Sequence, residues 1–560
     1  MKKISFLVCC GLIAVNLVAQ YMVPLRIPLL LSANFTEFRT NHFHSGVDFK
    51  TGGGVNLPVY SVESGYVSRI FVSPSGYGLA LYIDHPDGRT SVYGHLNRFG
   101  PAVAEYVKKK QYEQESFRVD LQVPKGLFPV QKGDLVAYSG NSGSSGGPHL
   151  HFEIRDTRSE NLINPLLFYK DQIKDKRPPE FQAVMIYPIV PSGVVNNSPS
   201  PLRVNIVRGK NGQPAPFRQQ VNVWGTIGLG LKALDRMDGT YNSYGVTYVR
   251  LQLDGKEIFS YVNTSYSFYV GRMFNSVIDY SYWRKTKDFF LKSFVEPGNT
   301  FAFYKTIDNG YIQINEERDY HFRYIIEDVH GNKAEYAFTL TGKKQEAAVR
   351  EKCPDVFAWN RDNSYSNDRF SLSIPKGNLY TSICFAYSDV TSSSYFSHIC
   401  KVNNFYVPLH DYCEMRIKVY NDSLANKSQY GIVQVTRRSQ PVWVGGSYEN
   451  GFVKVAIRDL GDEYAVWHDS KAPVIVPLQA ASWVKRGAIR LQISDNLSGL
   501  KFVRGTVDGK FVLLENDVKS PVYTYRIDGQ RIGRNSRHEL LVVAKDACGN
   551  TSEYKYSFEY

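Results

Sequence analysis

Pro148-His149-Leu150-His151-Phe152-Glu153-Ile154 decides how the N-terminal part of this chain folds. Polar and apolar residues alternate through it. On a strand, alternate residues share a face, so His149, His151 and Glu153 project one way and Leu150, Phe152 and Ile154 the other. The apolar set requires a core beneath it. Two imidazoles then stand side by side on an open face. Glu153 shares that face and is expected to meet solvent or a cation such as Arg155. The preceding run, Ser142-Gly143-Ser144-Ser145-Gly146-Gly147, lets backbone approach closely and leaves room for an extended substrate.

Working outward, the same alternation recurs at Val67–Ile70 and Leu79–Ile83. Residues 24–170 therefore read as a compact all-β unit with tight turns. One more helical stretch, Ala102 to Glu115, interrupts it. Lys174-Asp175-Lys176-Arg177-Pro178-Pro179 reads as a linker.

Six of the 12 histidines fall in this unit: His42, His44, His85, His95, His149 and His151. In His44-Ser45-Gly46-Val47-Asp48, a strand places His44, Gly46 and Asp48 on one face. Gly46 has no side chain, so a gap for a metal ion stays open between His44 and Asp48. Two His nitrogens and a carboxylate oxygen make a three-ligand catalytic zinc set. Tyr93-Gly94-His95-Leu96 places a further His at a strand end. His85, in Asp84-His85-Pro86-Asp87-Gly88, reads as turn chemistry.

These three segments resemble, in order and spacing, the lysostaphin-type (LytM-type) zinc endopeptidases that hydrolyse peptidoglycan cross-links. Lys132-Gly133-Asp134, Ser139–Gly143 and Asn164-Pro165 match the family's flanking positions, so the resemblance covers 24–170. It implies a two-layer β fold with a groove and one zinc ion. Position by position it implies His44, Asp48 and His151 as metal ligands, His149 as general base, and His95 as the second catalytic His. Metal ions of this kind polarise a carbonyl and acidify water. No ligand or catalytic position is missing. Asn41, His42, Tyr93 and Ser145 are expected to line the substrate groove. The stretch Arg98–Pro129 is longer than in minimal members and is expected to wall or cover that groove.

The remainder carries an internal repeat. Gly245-Val246-Thr247-Tyr248-Val249-Arg250 with Asp254-Gly255-Lys256 parallels Gly499-Leu500-Lys501-Phe502-Val503-Arg504 with Asp508-Gly509-Lys510. Asp328-Val329-His330-Gly331-Asn332 parallels Asp546-Ala547-Cys548-Gly549-Asn550. The interval between landmarks is longer in the first copy, which therefore carries an insertion. Hairpin turn signals between alternating strands imply Ig-like β-sandwiches over 181–343 and 472–560. A third β-rich module, 345–468, holds Cys353, Cys384, Cys400 and Cys413, whose three possible pairings stay open. Asp235, Asp238, Asp495 and the Asp-x-x-Gly-Asn turns lack EF-hand spacing and read as turn caps.

The N-terminus gives an expected compartment. Lys2 and Lys3, the apolar run Ile4–Val18 and Ala19-Gln20 form a secretory signal pattern, cleaved near Ala19 or Gln20. Neither Cys9 nor Cys10 follows a small residue suited to lipidation. The peptidase unit follows so closely that no propeptide is expected, and any autoinhibition would come from the insertion or the C-terminal domains. The expected location is the periplasm or cell envelope. No later segment is apolar enough to span a bilayer, so an integral membrane protein is not expected.

Composition sets the outer bounds. The chain has 560 residues, 43% hydrophobic and 21% charged, which excludes a disordered chain or a membrane bundle. Aromatics at 14% with only 6 Met favour strands. The net charge of +13 suits an anionic cell wall. No basic run interleaves with aromatics, so nucleic acid is not the expected partner. The alternatives are a non-catalytic wall-binding or hydrolase-activating protein, and a phosphocarrier using paired histidines. Export and the His44–Asp48 pair count against the phosphocarrier.

Overall fold

A computed structural model describes residues 21–209, 213–346, 353–436 and 440–560. The expected export signal, residues 1–20 with Cys9 and Cys10, lies outside the described residues. Among the described residues, no helix is long and apolar enough to cross a membrane.

The N-terminal unit is built from β1 (Leu31–Ala33), β2 (Val47–Lys50), β3 (Pro58–Tyr60), β4 (Gly65–Val72), β5 (Leu79–Asp84), β6 (Arg89–Leu96), β7 (Arg98–Phe99), α1 (Pro101–Glu113), β8 (Val119–Gln122), β9 (Leu135–Tyr138) and β10 (His149–Asp156). The main sheet runs β1-β2-β10-β6-β5-β4-β8, and a small sheet runs β3-β9-β7. Both contribute to one core, which holds Val47, Phe49, Leu150, Phe152 and Ile154 from the first and Val59, Phe99 and Ala137 from the second. This is the two-layer β fold expected. The β2-β10-β6 order is what brings the three His-bearing segments together.

The stretch expected to wall the groove lies elsewhere. β8 pairs with β4 at the edge of the main sheet farthest from β1. α1 buries Val103, Val107 and Gln111, one turn apart, beneath it. Its outer face carries Lys108 and Tyr112, and Glu115 follows just past its end; they meet Asp528, Arg531 and Arg504 of the C-terminal unit. The physical reason is register: a strand added at the far edge cannot fold back over the central strands.

The remaining units are β-sandwiches. The last pairs a four-stranded sheet containing Ala488–Ser494 and Ser520–Arg526 with another containing Leu500–Val507, Arg537–Asp546 and Thr551–Glu559. The second unit repeats this pattern with Tyr248–Leu253, Asp319–Glu327 and Lys333–Gly342 paired in the same order. Asp254-Gly255 and Asp508-Gly509 both adopt positive φ at both positions, the two-residue hairpin turn that the repeat implied. The insertion in the first copy supplies Ser265–Tyr266, which pairs with Leu162–Ile163 and so extends the peptidase sheet. It also packs Phe274 and Tyr266 on Phe43, directly before His44. The third unit has two five-stranded sheets and a two-stranded one, Asp355–Phe357 with Ile383–Phe385, around one core. Of its cysteines, Cys353 and Cys384 are bonded, while Cys400 and Cys413 are buried free thiols.

Candidate active site

β10 is the central strand of the site. Antiparallel pairing sets His151 opposite Asp48 on β2 and opposite Gly94 on β6. Leu150, Phe152 and Ile154 are fully buried on the core side, as the alternation requires. His44 comes in just ahead of β2.

Three ligand atoms converge. His44 Nε2 lies 3.1 Å from Asp48 Oδ1 and 3.1 Å from His151 Nδ1. His151 Nδ1 lies 2.9 Å from Asp48 Oδ1. The outer nitrogens of both rings are already committed. His44 Nδ1 donates to the Asn34 carbonyl at 2.8 Å, and His151 Nε2 donates to Glu153 Oε1 at 2.9 Å. Each ring therefore turns its other nitrogen inward, toward a carboxylate oxygen. Two ring nitrogens and a carboxylate oxygen this close together require a positive charge among them, either a proton or a metal ion that replaces it. The donor set and its spacing fit one divalent cation, and two His nitrogens with one carboxylate oxygen are zinc-type ligands.

The electrostatics follow from that crowding. Burial opposes ionisation of Asp48, yet His44, His149 and His151 hold its carboxyl well below the usual range. Burial lowers His151, but the Asp48 and Glu153 carboxylates override it and hold the ring up to about 9 while no metal is bound. His95 goes the other way: burial, with the nearby His151 and His149, pushes it down to about 3. It is neutral across the physiological range.

Glu153 is not solvated. It is fully buried, and its carboxylate accepts from Ser45 Oγ, Tyr77 OH at 2.6 Å, His151 Nε2 and Arg155 Nε at 2.7 Å. The cation expected beside it is there, but so is His151. A carboxylate on the far nitrogen of a ligating His fixes its tautomer and raises its basicity. Asn34, Ser45 and Tyr77 had no signal in the sequence, because each reaches the site from a loop or a non-adjacent strand. Glu153 had one: its place two residues beyond His151.

His95 and His149 face each other, with ring centroids 4.8 Å apart. His95 has φ of 55°, which breaks the strand alternation. That twist turns His95 toward the site, whereas Tyr93 stays in the core. Tyr93 was expected in the groove; instead it is fully buried against Phe152, its hydroxyl accepting from the Val62 N–H. His95 Nδ1 donates to the Ser142 carbonyl at 2.8 Å. His149 Nδ1 donates to the Gly147 carbonyl at 2.8 Å, and its Nε2 lies 3.4 Å from Asp48 Oδ1. Ser145 is buried and bonds Gly147 O and His149 Nδ1, so it props the ring. His42 is exposed on the hairpin Phe38–Arg39/His42–Phe43, and Asn41 forms its left-handed turn. His85 is buried between Ser64 and Ser91.

Comparison with known proteins agrees with this arrangement. Residues 42–112 match the family model described as Peptidase family M23. Over this span the chain is that of a peptidase family M23 domain. The matched span includes His44, Asp48 and His95; the sheet then brings in His149 and His151. An uncharacterized metalloprotease of Haemophilus influenzae is 31% identical over 123 residues, 22% of this chain and 20% of that protein. A protein named DD-carboxypeptidase/endopeptidase Mpg of Neisseria meningitidis serogroup B is 28% identical over 116 residues, 21% of each. The chain thus spans about a fifth of the length of these curated relatives. The catalytic domain of lysostaphin from Staphylococcus simulans is 22% identical, covering 25% of this chain and 91% of that one, with a TM-score of 0.19. Residues 354–469 match a Zu5-like domain. The M23 domain is therefore one part of a longer, otherwise β-sandwich chain.

Proposed function

We propose that this protein is an exported zinc endopeptidase that hydrolyses peptide cross-links of peptidoglycan, acting on the D-Ala–diaminopimelate bond. The observation that carries the reading is the convergence of His44 Nε2, Asp48 Oδ1 and His151 Nδ1, with both outer imidazole N–H groups tied down. The M23 match and the relatives named as DD-carboxypeptidase/endopeptidase support the substrate class.

Zinc at these three residues would polarise the scissile carbonyl and acidify a water. The other steps belong to the chain's own side chains. With its Nδ1–H held by Gly147, His149 presents Nε2 as a proton acceptor at the edge of the ligand set. It takes the proton of the attacking water and returns it to the leaving amine nitrogen. His95 is neutral with its Nδ1–H held by Ser142, so its Nε2 is also an acceptor. That favours orienting the water over donating to a developing oxyanion.

Digestion of purified sacculi followed by mass spectrometry of the muropeptides tests the proposal. Un-cross-linked products should appear with the intact protein. Chelation or His149→Ala should reduce their release by at least about 100-fold. Binding without turnover would favour the wall-binding alternative.

A further inference from the structure

The repeat contains a second cluster of possible ligands, well separated from the peptidase site in sequence. Asp175, in the linker, and Asp328, in the Asp-x-x-Gly-Asn turn, bring carboxylate oxygens within 4.8 Å of each other and of a His330 ring nitrogen. Asp235, the residue after the strand Asn222–Leu234, is a further buried carboxylate in electrostatic range of Asp175 and Asp328. All three carboxylates are at least nine-tenths buried: Asp175 is 8%, Asp235 4% and Asp328 2% exposed.

Their hydrogen bonds do not balance. Asp328 accepts from the Asn332 backbone and side chain, and Asp235 Oδ1 from the Arg236 N–H. Asp175 Oδ1 accepts from the Arg177 N–H, but its Oδ2 is buried with no partner. The charges facing it are those of Asp328, Asp238 and His330. The guanidinium groups of Arg177 and Arg236 turn to Glu180 instead. An orphaned carboxylate oxygen beside two further buried carboxylates is strongly disfavoured unless a cation or protons neutralise it. Burial and the charges of Asp328 and Asp175 push Asp235 up to about 8, against the opposing charge of Arg177.

The second copy of the repeat rebuilds the arrangement. Asp469, Asp495 and Asp546 have carboxylate oxygens within 4.8 Å of one another, and Asp495 Oδ1 is again buried without a partner. Asn332 Nδ2 bridges Asp328 Oδ2 and the Asp175 carbonyl; Asn550 Nδ2 bridges Asp546 Oδ2 and the Asp469 carbonyl. At the intervening position His330 bonds the Ile173 carbonyl, and Cys548 lies against the Gln429 carbonyl. That position therefore serves the preceding linker or unit in both copies. What the copies share is carboxylate oxygen, the ligand of hard cations.

We propose that Asp175 and Asp328, with the ring of His330 beside them, hold a calcium ion that fastens the linker to the sandwich it enters. The site is independent of the peptidase centre, and its test needs no activity. Full-length protein, stripped with chelator, is dialysed against calcium chloride, and bound calcium is counted for wild type and Asp175→Asn. The variant should bind one ion fewer per chain, and the calcium-dependent rise in melting temperature should shrink accordingly. Without calcium, Asp175→Asn should melt at or above wild type, because it removes a repelling charge while keeping the acceptor for Arg177. No calcium bound by wild type at millimolar concentration, an unchanged count, or a calcium-free variant that melts well below wild type would each overturn the proposal.

Discussion

Glu153 supports the metal set from behind, touching one of its ligands on the side away from the ligand atoms. Its carboxylate holds His151 Nε2, and through that bond Nδ1 is the nitrogen left facing the ligand set. It also pairs with Arg155, itself only 4% exposed. Burial disfavours the carboxylate, but Arg155 and His151 keep it ionised. Glu153→Gln removes the charge and leaves Arg155 buried beside a neutral amide, a change costing about 3–5 kcal/mol when one partner of a buried pair is lost. It should also weaken zinc affinity about 10- to 100-fold, the usual effect of losing a ligand's outer partner. Competition titration with a chromophoric chelator measures the affinity. Tyr77→Phe, which deletes only the hydroxyl donating to Glu153, should move affinity the same way by less and leave the fold intact. Unchanged affinity in both variants would show that Glu153 merely fills space.

At the scale of strands, Gly46 matters for a reason its sequence position does not reveal. The spacing His44-x-Gly46-x-Asp48 suggests a gap held open for the ion. In the sheet, a Cβ on Gly46 would lie 2.2 Å from the Phe152 carbonyl oxygen and 2.9 Å from Glu153 Cγ. Glycine lets β10 come close enough for His151 to reach Asp48. Backbone on a neighbouring strand cannot swing aside, so Gly46→Ala should destabilise the domain by about 1–3 kcal/mol. It should also lower zinc stoichiometry, read by denaturant titration and metal analysis of the same sample. A variant as stable as wild type would mean the strand shifts freely. The same contrast explains what was legible in the sequence. Alternation at 149–154 separates the ligand face from the core, and the helix expected at Ala102–Glu115 forms over Pro101–Glu113. Strand logic fails at His95, whose positive φ turns it toward the site while Tyr93 stays in the core. It is also blind to pairings across units, such as Ser265–Tyr266 on Leu162–Ile163, and to carboxylates as far apart as Asp175 and Asp328.

Across the whole molecule, the C-terminal sandwich returns to the catalytic unit and grips the loop that holds His95. Asp517 Oδ2 accepts from the Gly143 N–H at 3.0 Å. Lys519 Nζ donates to the Asn141 carbonyl at 2.7 Å and to the Gly143 carbonyl. The Val518 N–H donates to the Pro74 carbonyl at 2.9 Å. Ser142, between the gripped residues, supplies the carbonyl that fixes the His95 tautomer. On the other flank, Lys108–Asp528 and the Arg531 guanidinium 3.4 Å from the centre of the Tyr112 ring hold the same sandwich against α1. Single exposed ion pairs contribute little, so the grip rests on their number and on the backbone groups engaged. A tail that brakes the enzyme would sit over the ligands; this one steadies a loop behind a catalytic candidate. Asp517→Ala with Lys519→Ala in the full chain should therefore lower kcat by about three- to tenfold, or about 0.7–1.4 kcal/mol of barrier, with KM little changed. The double variant should keep its zinc content, because no ligand is touched. Faster turnover on sacculi would instead identify the tail as a brake and reverse this assignment.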